Sequence, residues 1–553
     1  MIALLLIISS YIVNNILWVG KSPIYFYRDS IMNISWAVYY GKAWRNEKLA
    51  YGPDLIEVLN SNNINPNGSI YYYDGSPGTL KGLIAKKENI TTRDLLKFYH
   101  PPLWFMFLGS LFFLFGFRLW VIYLAQFLLG ATTIGLTYLV GKRLFSSTAG
   151  LLSAFILSTL PSFLIITRQG FLETMICPLV LIGVILVDYI LKYPLGRFYY
   201  ILLGLVCGIG MLIKSTFILY IVIFFLVIVI FADKKEISLF SLLKIFFLAL
   251  ILIILIALPW YAYACQSFLA YSNMGIAKGR SQYLFDTKNF FVIFAVLKNV
   301  QLGSVLFVLF VIAAIRSCVK PKLYSSYLIF FLICGYLLKV FLPFAVIIRH
   351  FSPFLPLVII LICCSIVDLY KFKRWVAVSL VIFSFIRGYG WMVLPLPCLL
   401  DQMSYFYDDI GTKSCKHLYS NYATDVKSGN LVSSFAPLNY MQQRVVYDEI
   451  KKVPSSTGLR LVKIISPSKH ILEAKTLAGA LSLYSIFDGF PLIIEDPHLR
   501  LSKPFKDRIW VFLNSSNKDM LIVNKIKMKL GYIATVPLLP AVKCDIFIEY
   551  GND

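Results

Sequence analysis

The stretch Phe98-Tyr99-His100-Pro101-Pro102-Leu103-Trp104 marks a boundary in this chain. Before it lies a polar run, residues 21–100, that follows a single hydrophobic N-terminal segment. After it, apolar segments succeed one another to residue 396. Early connections between membrane segments are normally short, so a long one rich in Tyr, Trp, Asp and Arg calls for a purpose. Pro101 confines His100 to extended backbone, and the two prolines make a stiff corner. This sets a polar region against the water interface of a bilayer, the arrangement of a membrane enzyme working at that surface.

Composition supports the membrane setting. Hydrophobic residues make up 59% of the 553-residue chain and charged residues only 14%, with a mean hydropathy of +0.75. Soluble domains carry about 25% charged residues. Phe217–Ile230 and Ile245–Leu258 contain no charge and are too apolar for a water-facing surface. The net charge is +24, but much of the Lys and Arg sits in short connections between apolar segments. That is the positive-inside pattern, and it argues against a nucleic-acid partner. The ten cysteines are scattered. Cys177, Cys207, Cys334, Cys363 and Cys364 lie in apolar segments, and with no Cys-x-x-Cys pair or Cys/His cluster a zinc site is not indicated. Cys398, Cys415 and Cys544 share the C-terminal region. Residues 1–19 lack a basic start and an A-x-A site and read as an uncleaved span.

Hydrophobic segments are read at 1–19, 101–117, 119–141, 146–166, 172–191, 198–213, 215–231, 241–263, 291–315, 323–347, 351–370 and 375–396. Lys142-Arg143, Lys192 with Arg197, Lys234-Lys235, Arg316 with Lys320 and Lys322, and Lys371-Lys373-Arg374 fall on the cytoplasmic side. Arg168, Lys214, residues 264–290 and Arg349 then fall outside. The count closes only if 101–117 is a short re-entrant or interfacial helix, which leaves 11 spans, a cytoplasmic N-terminus and an external C-terminus.

The expected fold class is a polytopic α-helical membrane protein with a C-terminal extracytoplasmic α/β domain. The divisions are a first transmembrane helix over 1–20, an extracytoplasmic catalytic loop over 21–100, a transmembrane helical domain over 101–396 and a soluble domain over 397–553. In the last, Leu459–Ile465, Pro491–Ile494, Ile509–Leu513 and Asp545–Glu549 read as strands, and Leu472–Leu483 and Lys518–Leu530 as helices. No Gly-rich nucleotide loop is present in the sequence.

Six residues carry the candidate chemistry. Asp29, in Tyr25-Phe26-Tyr27-Arg28-Asp29-Ser30, is a carboxylate close after the first span and suits a general base. His100 stands at the Pro-Pro corner and suits a phosphate or acceptor contact. Arg168 and Glu173 bracket a break between two apolar segments, Lys214 interrupts Gly210–Phe217, and Arg349-His350 precedes Phe351–Pro356. Charges at such depth are costly and mark function. Arg168, Lys214 and Arg349 share one side on the charge-derived orientation, where three cations suit a lipid phosphate or pyrophosphate. The structural alternatives are a local Arg168–Glu173 ion pair and side chains that snorkel to the interface. Asp29 and Glu173 are the two acids that could hold a divalent cation; no other cofactor is indicated.

Taken in order, these pieces resemble the polyprenyl-phosphate-sugar-dependent GT-C glycosyltransferases, with the protein O-mannosyltransferases and lipid A aminoarabinose transferases as the nearest branches. The resemblance rests on Asp29; His100-Pro101-Pro102-Leu103; Arg118-Leu119; Lys142-Arg143-Leu144-Phe145; Arg168 with Glu173; Lys214; Leu258-Pro259-Trp260-Tyr261; and Arg349-His350 through Pro353 and Pro356. It covers residues 1–370. Many members have Asp-Glu where this chain has Asp29-Ser30, the aminoarabinose transferases have Lys where His100 stands, and Glu173 occupies a position where Asp is common. The resemblance implies a GT-C fold and transfer of a sugar, with inversion, from a polyprenyl-phosphate carrier on the outer membrane face. It implies Asp29 as base, and Lys214, Arg349, Arg168 and His100 as binders of the departing phosphate. The acceptor would be a lipid, glycan or protein hydroxyl. Usage rich in Ile, Lys, Asn and Tyr points to a bacterial inner membrane.

Two other functions fit parts of the sequence. A flippase or transporter of lipid-linked sugars would explain the spans, but not the early long connection or the large C-terminal domain. It would also place charges in mid-span, for which Lys298 and Lys339 are the candidates. A lipid-pyrophosphate-dependent ligase or polymerase would carry its large loop late in the chain.

Overall fold

In a computed structural model, the described residues are 2–21, 28–45, 96, 100–168, 170–232, 239–266, 268–269, 297, 302–319, 323–341, 348–393, 437–453, 460–465, 477, 481, 484, 492–495, 509–513, 529–539 and 542–550. Fifteen α-helices among them are α1 Ile2–Lys21, α2 Arg28–Trp44, α3 Leu103–Phe115, α4 Leu119–Leu144, α5 Ser147–Thr159, α6 Pro161–Ile166, α7 Glu173–Lys192, α8 Arg197–Ile213, α9 Ile218–Phe231, α10 Leu239–Tyr263, α11 Gly303–Val319, α12 Leu323–Phe341, α13 Leu355–Phe372, α14 Arg374–Val393 and α15 Pro437–Lys452. Two 3-10 turns, Ser215–Phe217 and Ile348–Phe354, lead into α9 and α13. The strands are β1 Arg460–Ile465, β2 Leu492–Glu495, β3 Ile509–Leu513, β4 Lys529–Leu539 and β5 Val542–Tyr550.

The chain divides into two compact units. The first comprises Met1–Ile16, Leu96–Trp104 and Leu124–Gly429, and the second Leu17–Leu95, Phe105–Tyr123 and Asn430–Asp553.

Among the described residues, four helices are long and apolar enough to cross a membrane: Leu119–Leu144, Glu173–Lys192, Phe246–Tyr263 and Phe351–Phe372. Some apolar stretches are broken into shorter helices by the sequence. Pro161 bars the helical conformation to Leu160, whose ψ is 120°, so residues 146–166 form two helices, α5 and α6. At the centre of the first unit, Leu355–Cys363 of α13 are buried all round, because this helix lies among α5, α11 and α14 and has no face left for lipid or water. α7 packs against α8, α9 and the Ile348–Phe354 turn.

In the second unit, Arg28–Trp44, within the connection read over 21–100, is helical. Ile34, Trp36, Ala37, Val38, Tyr39 and Tyr40 are all buried. Apolar side chains at i, i+3 and i+4 drive this stretch into a helix even though polar sequence surrounds it. α2 lies close against α3: a Cβ on Gly109 would come within 2.7 Å of the Tyr40 Cβ, and one on Gly41 within 3.1 Å of the Gly109 carbonyl oxygen. Arg45, just past α2, caps α3. Its Nε donates to the Phe113 carbonyl at 3.0 Å, and Nη2 donates to the Phe112 and Phe113 carbonyls at 3.1 and 2.6 Å. A cation at the carbonyl end of a helix is favourable on both hydrogen-bonding and dipole grounds. Arg45→Ala should therefore cost about 1–2 kcal/mol of stability, and Arg45→Lys should recover only part of it because the planar fork is lost. Thermal unfolding of the purified variants checks both. α3 itself is 13 residues, roughly 20 Å, short of a hydrocarbon core of about 30 Å.

The C-terminal strands form one mixed sheet in the order β2-β1-β3-β5-β4. β1 runs parallel to β2 and β3, and β5 antiparallel to β3 and β4. Val462, Ile464, Ile509, Val511 and Ile546 are buried at alternate positions along their strands, the period expected of a sheet with a covered face. Pro537 is tolerated because β4 is an edge strand, and a register shift follows it. α15 packs on β4. Leu477, Leu481 and Tyr484 are helical and fully buried, within and just past the helix expected over Leu472–Leu483. The helix expected over Lys518–Leu530 is corrected at its end, since Lys529 and Leu530 open β4 and pair with Tyr550 and Glu549. Residues 518–528, Cys398, Cys415 and Lys298 lie outside the described residues.

Candidate active site

The site begins at the break between α6 and α7. Gly170, at φ +72°, takes the left-handed conformation that reverses the chain there. The Thr174 hydroxyl donates back across the turn to the Ile166 carbonyl at 3.2 Å. Glu173 is therefore the first residue of α7, where the helix dipole favours a carboxylate. It is 2% exposed.

A second break meets the first. α8 stops at Lys214, whose backbone is extended at φ −155° and ψ 129° before the Ser215–Phe217 turn. The Lys214 ammonium reaches the Glu173 carboxylate, Nζ to Oε1, at 2.6 Å. Arg168, in the α6–α7 break, is also buried, and its Nε donates to the Asn15 side-chain oxygen of α1 at 2.7 Å. The buried charged side chains among the described residues are Lys42, Arg168, Glu173 and Asp188. Two of these four, Arg168 and Glu173, lie in one break and meet further polar partners there, which makes this break the candidate site.

The remaining sequence candidates are placed as follows. His100 is half-buried. Its segment is tied to α10 by the Trp260 indole, which donates to the Leu96 carbonyl at 3.0 Å. The adjacent Tyr261 hydroxyl donates to the Met211 carbonyl at 3.1 Å, in the last turn of α8 before Lys214. The Leu258-Pro259-Trp260-Tyr261 motif thus holds the His100 segment with one side chain and the Lys214 break with the next. Tyr261→Phe should free that carbonyl and lower turnover several-fold by loosening Lys214, at a stability cost of about 1 kcal/mol. Steady-state kinetics beside thermal unfolding will separate the two effects.

Arg349 lies on the Ile348–Phe354 turn that packs on α7; its side chain is outside the described residues. A run of aromatic contacts leads from the Lys214 break to this turn: Phe217 to Tyr220 at 5.3 Å, Tyr220 to Phe354 at 5.1 Å, and Tyr336 stacked on Phe351 at 5.3 Å. Asp29 is the second residue of α2, in the other compact unit, and its side chain too is outside the described residues. Among the described residues no group of three or more His, Cys, Asp or Glu comes together.

Three features escaped sequence reasoning. Asn15 is hidden in a span that reads as a simple anchor. The aromatic pattern of α2 is masked by the polar residues around it. The third is a second ion pair, built on a buried carboxylate at the far end of α7. Asp188, 1% exposed, pairs there with Arg143 of α4 and with Lys192 at 3.1 Å. The Arg143 guanidinium lies 3.6 Å from the Tyr189 ring centroid. Its signal was in the sequence, since Asp188 interrupts an apolar run in the same way as Lys214.

Residues 99–263 match the family described as dolichyl-phosphate-mannose-protein mannosyltransferase. No curated protein matches the chain in sequence. Among solved structures, ArnT from Cupriavidus metallidurans bound to undecaprenyl phosphate is 12% identical, with a TM-score of 0.53 over 98% of this chain and 97% of that chain. The apo form of the same protein gives 13% identity and a TM-score of 0.48 over 81% and 88%. The Archaeoglobus fulgidus oligosaccharyltransferase in complex with Zn and sulfate gives 12% identity and a TM-score of 0.40 over 85% and 61%. The breaks that carry Arg168, Glu173 and Lys214 fall within the matched residues 99–263, and along nearly the whole chain the fold is similar to that of ArnT, a likeness of fold to the membrane glycosyltransferases that the sequence resembles.

Proposed function

We propose that this protein transfers a sugar from a polyprenyl-phosphate donor to a hydroxyl of a lipid, glycan or protein, with inversion, on the outer face of a bacterial inner membrane. The observation that carries this reading is the pairing of Lys214 with the buried Glu173 carboxylate, with buried Arg168 in the adjoining break. It concentrates positive charge at a protein-lined position within an apolar helical body, where charge-assisted contacts to a phosphate are strong. Undecaprenyl phosphate is bound by the ArnT of matching fold, which supports a carrier of that class here.

In the proposed reaction the Asp29 carboxylate takes the proton of the acceptor hydroxyl. The hydroxyl oxygen attacks the anomeric carbon from the side opposite the carrier. The new carbon–oxygen bond forms as the bond to the phosphate oxygen breaks, and that bond's electron pair leaves with the lipid phosphate. Lys214, Arg349, Arg168 and His100 stabilise the growing charge on the phosphate, and Glu173 holds Lys214 in place.

The test is incubation of the purified protein with a panel of polyprenyl-phosphate sugars and a membrane extract of its host, followed by mass spectrometry. Loss of one donor with appearance of a glycosylated product supports the reading and names the sugar. Intact donors across the panel, with a folded protein, would overturn it, and consumption of pyrophosphate-linked donors instead would point to a ligase.

A further inference from the structure

The first helix carries more than an anchor needs. Asn15 of α1 is fully buried, and its side-chain oxygen accepts the Arg168 Nε–H at 2.7 Å across 153 residues of sequence. Its amide nitrogen donates to the Tyr11 carbonyl at 2.8 Å, which fixes which way the amide faces. Tyr11 in turn locks α1 laterally. Its ring lies 6.2 Å from that of Phe163 on α6, and its hydroxyl occupies the space beside Gly130 of α4, where any Cβ would collide with it. α1 is thus bolted by Tyr11 at a position that presents Asn15 to Arg168.

We propose that Asn15 is a positioning residue for donor binding: it holds the Arg168 guanidinium in the orientation that meets the lipid phosphate. This rests on the reading of Arg168 as a phosphate-binding residue. A guanidinium contacts phosphate through a planar fork, so its angle matters as much as its charge. A buried acceptor on Nε sets that angle while leaving the charge intact. Gln126 offers the matching control. It lies one helical turn from Gly130 on the same face of α4, is fully buried, and its amide has no hydrogen-bond partner among the described residues. Replacing it removes buried polarity from α4 without touching the Asn15–Arg168 bond.

The experiment uses the full chain in lipid nanodiscs, with undecaprenyl phosphate as the binding probe and donor KM and kcat measured beside it. Asn15→Leu should weaken probe binding and raise donor KM by about tenfold, with a smaller change in kcat. Asn15→Asp, which keeps an acceptor for Nε, should restore both to within about threefold of wild type. Gln126→Leu should leave probe binding and KM unchanged. If Asn15→Leu does not fold, Asn15→Ser, too short to reach Nε, takes its place against Asn15→Asp. Unchanged binding in Asn15→Leu, or an Asp variant no better than Leu or Ser, overturns the inference. If Arg168→Ala weakens the probe and Asn15→Leu does not, Asn15 alone is excluded and the donor reading stands. A wild-type protein that neither binds the probe nor consumes any donor overturns both.

Discussion

Lys214→Met is expected to lower sugar transfer by about 100- to 1,000-fold, the effect of removing one preorganised charge from a developing oxyanion. The same change leaves Glu173, 2% exposed, without its ammonium partner, and breaking a buried pair costs about 3–5 kcal/mol. The single variant therefore mixes a catalytic loss with a folding loss. Lys214→Met combined with Glu173→Gln separates them. With both charges gone the pair becomes two neutral side chains of similar volume, so thermal stability should return close to wild type while transfer stays low. Recovery of activity along with stability would show that Lys214 serves only to neutralise Glu173. Glu173→Gln alone should keep most of the fold and bind the donor phosphate less precisely, because Lys214 loses the partner that aims it.

Asp29→Asn is the second large effect. Removal of a general base typically costs 10²- to 10⁴-fold, and about that loss in kcat is expected here with donor KM little changed. Asp29 is near the start of α2, whose buried body runs from Asn33 to Lys42. The helix should form without the carboxylate, so folding and undecaprenyl phosphate binding should survive. Near-normal transfer by a folded Asp29→Asn protein would falsify the role.

The sequence was easiest to read where one physical signal stood alone. Long apolar runs became helices close to the expected limits, as in 172–191 against α7 Glu173–Lys192 and 198–213 against α8 Arg197–Ile213. Ile509–Leu513 is a strand with the expected bounds, because a short β-branched and aromatic run between polar stretches has few other uses. Signals in competition were harder. α2 shows helical spacing of Ile31, Ile34, Ala37 and Val38, yet it sits inside a polar region whose average composition suggests a loop. Lys529-Leu530 continue a helical pattern, but pairing with β5 decides their conformation. In the site, the charges at Arg168, Glu173 and Lys214 were legible because ionisable residues in apolar runs are rare. Their partners were not. Glu173 and Lys214 are 41 positions apart, and only the antiparallel stacking of helices makes them neighbours. Asn15 is a neutral residue in an anchor-like span, and one amide leaves no mark on hydropathy.

α7 is gripped at two points, by Lys214 on Glu173 at its start and by Arg143 on Asp188 near its finish. Fifteen residues separate these points, roughly 22 Å along the axis. To slide by one turn, α7 would have to part both ion pairs at once and leave the buried Glu173 and Asp188 carboxylates without partners. This helix therefore behaves as a spindle and not as a piston. Under the proposed function, exchange of the lipid-linked donor is then expected to move segments around α7 and leave α7 itself seated. Locking or loosening the Asp188 bearing should then alter how fast lipids exchange without changing how they react.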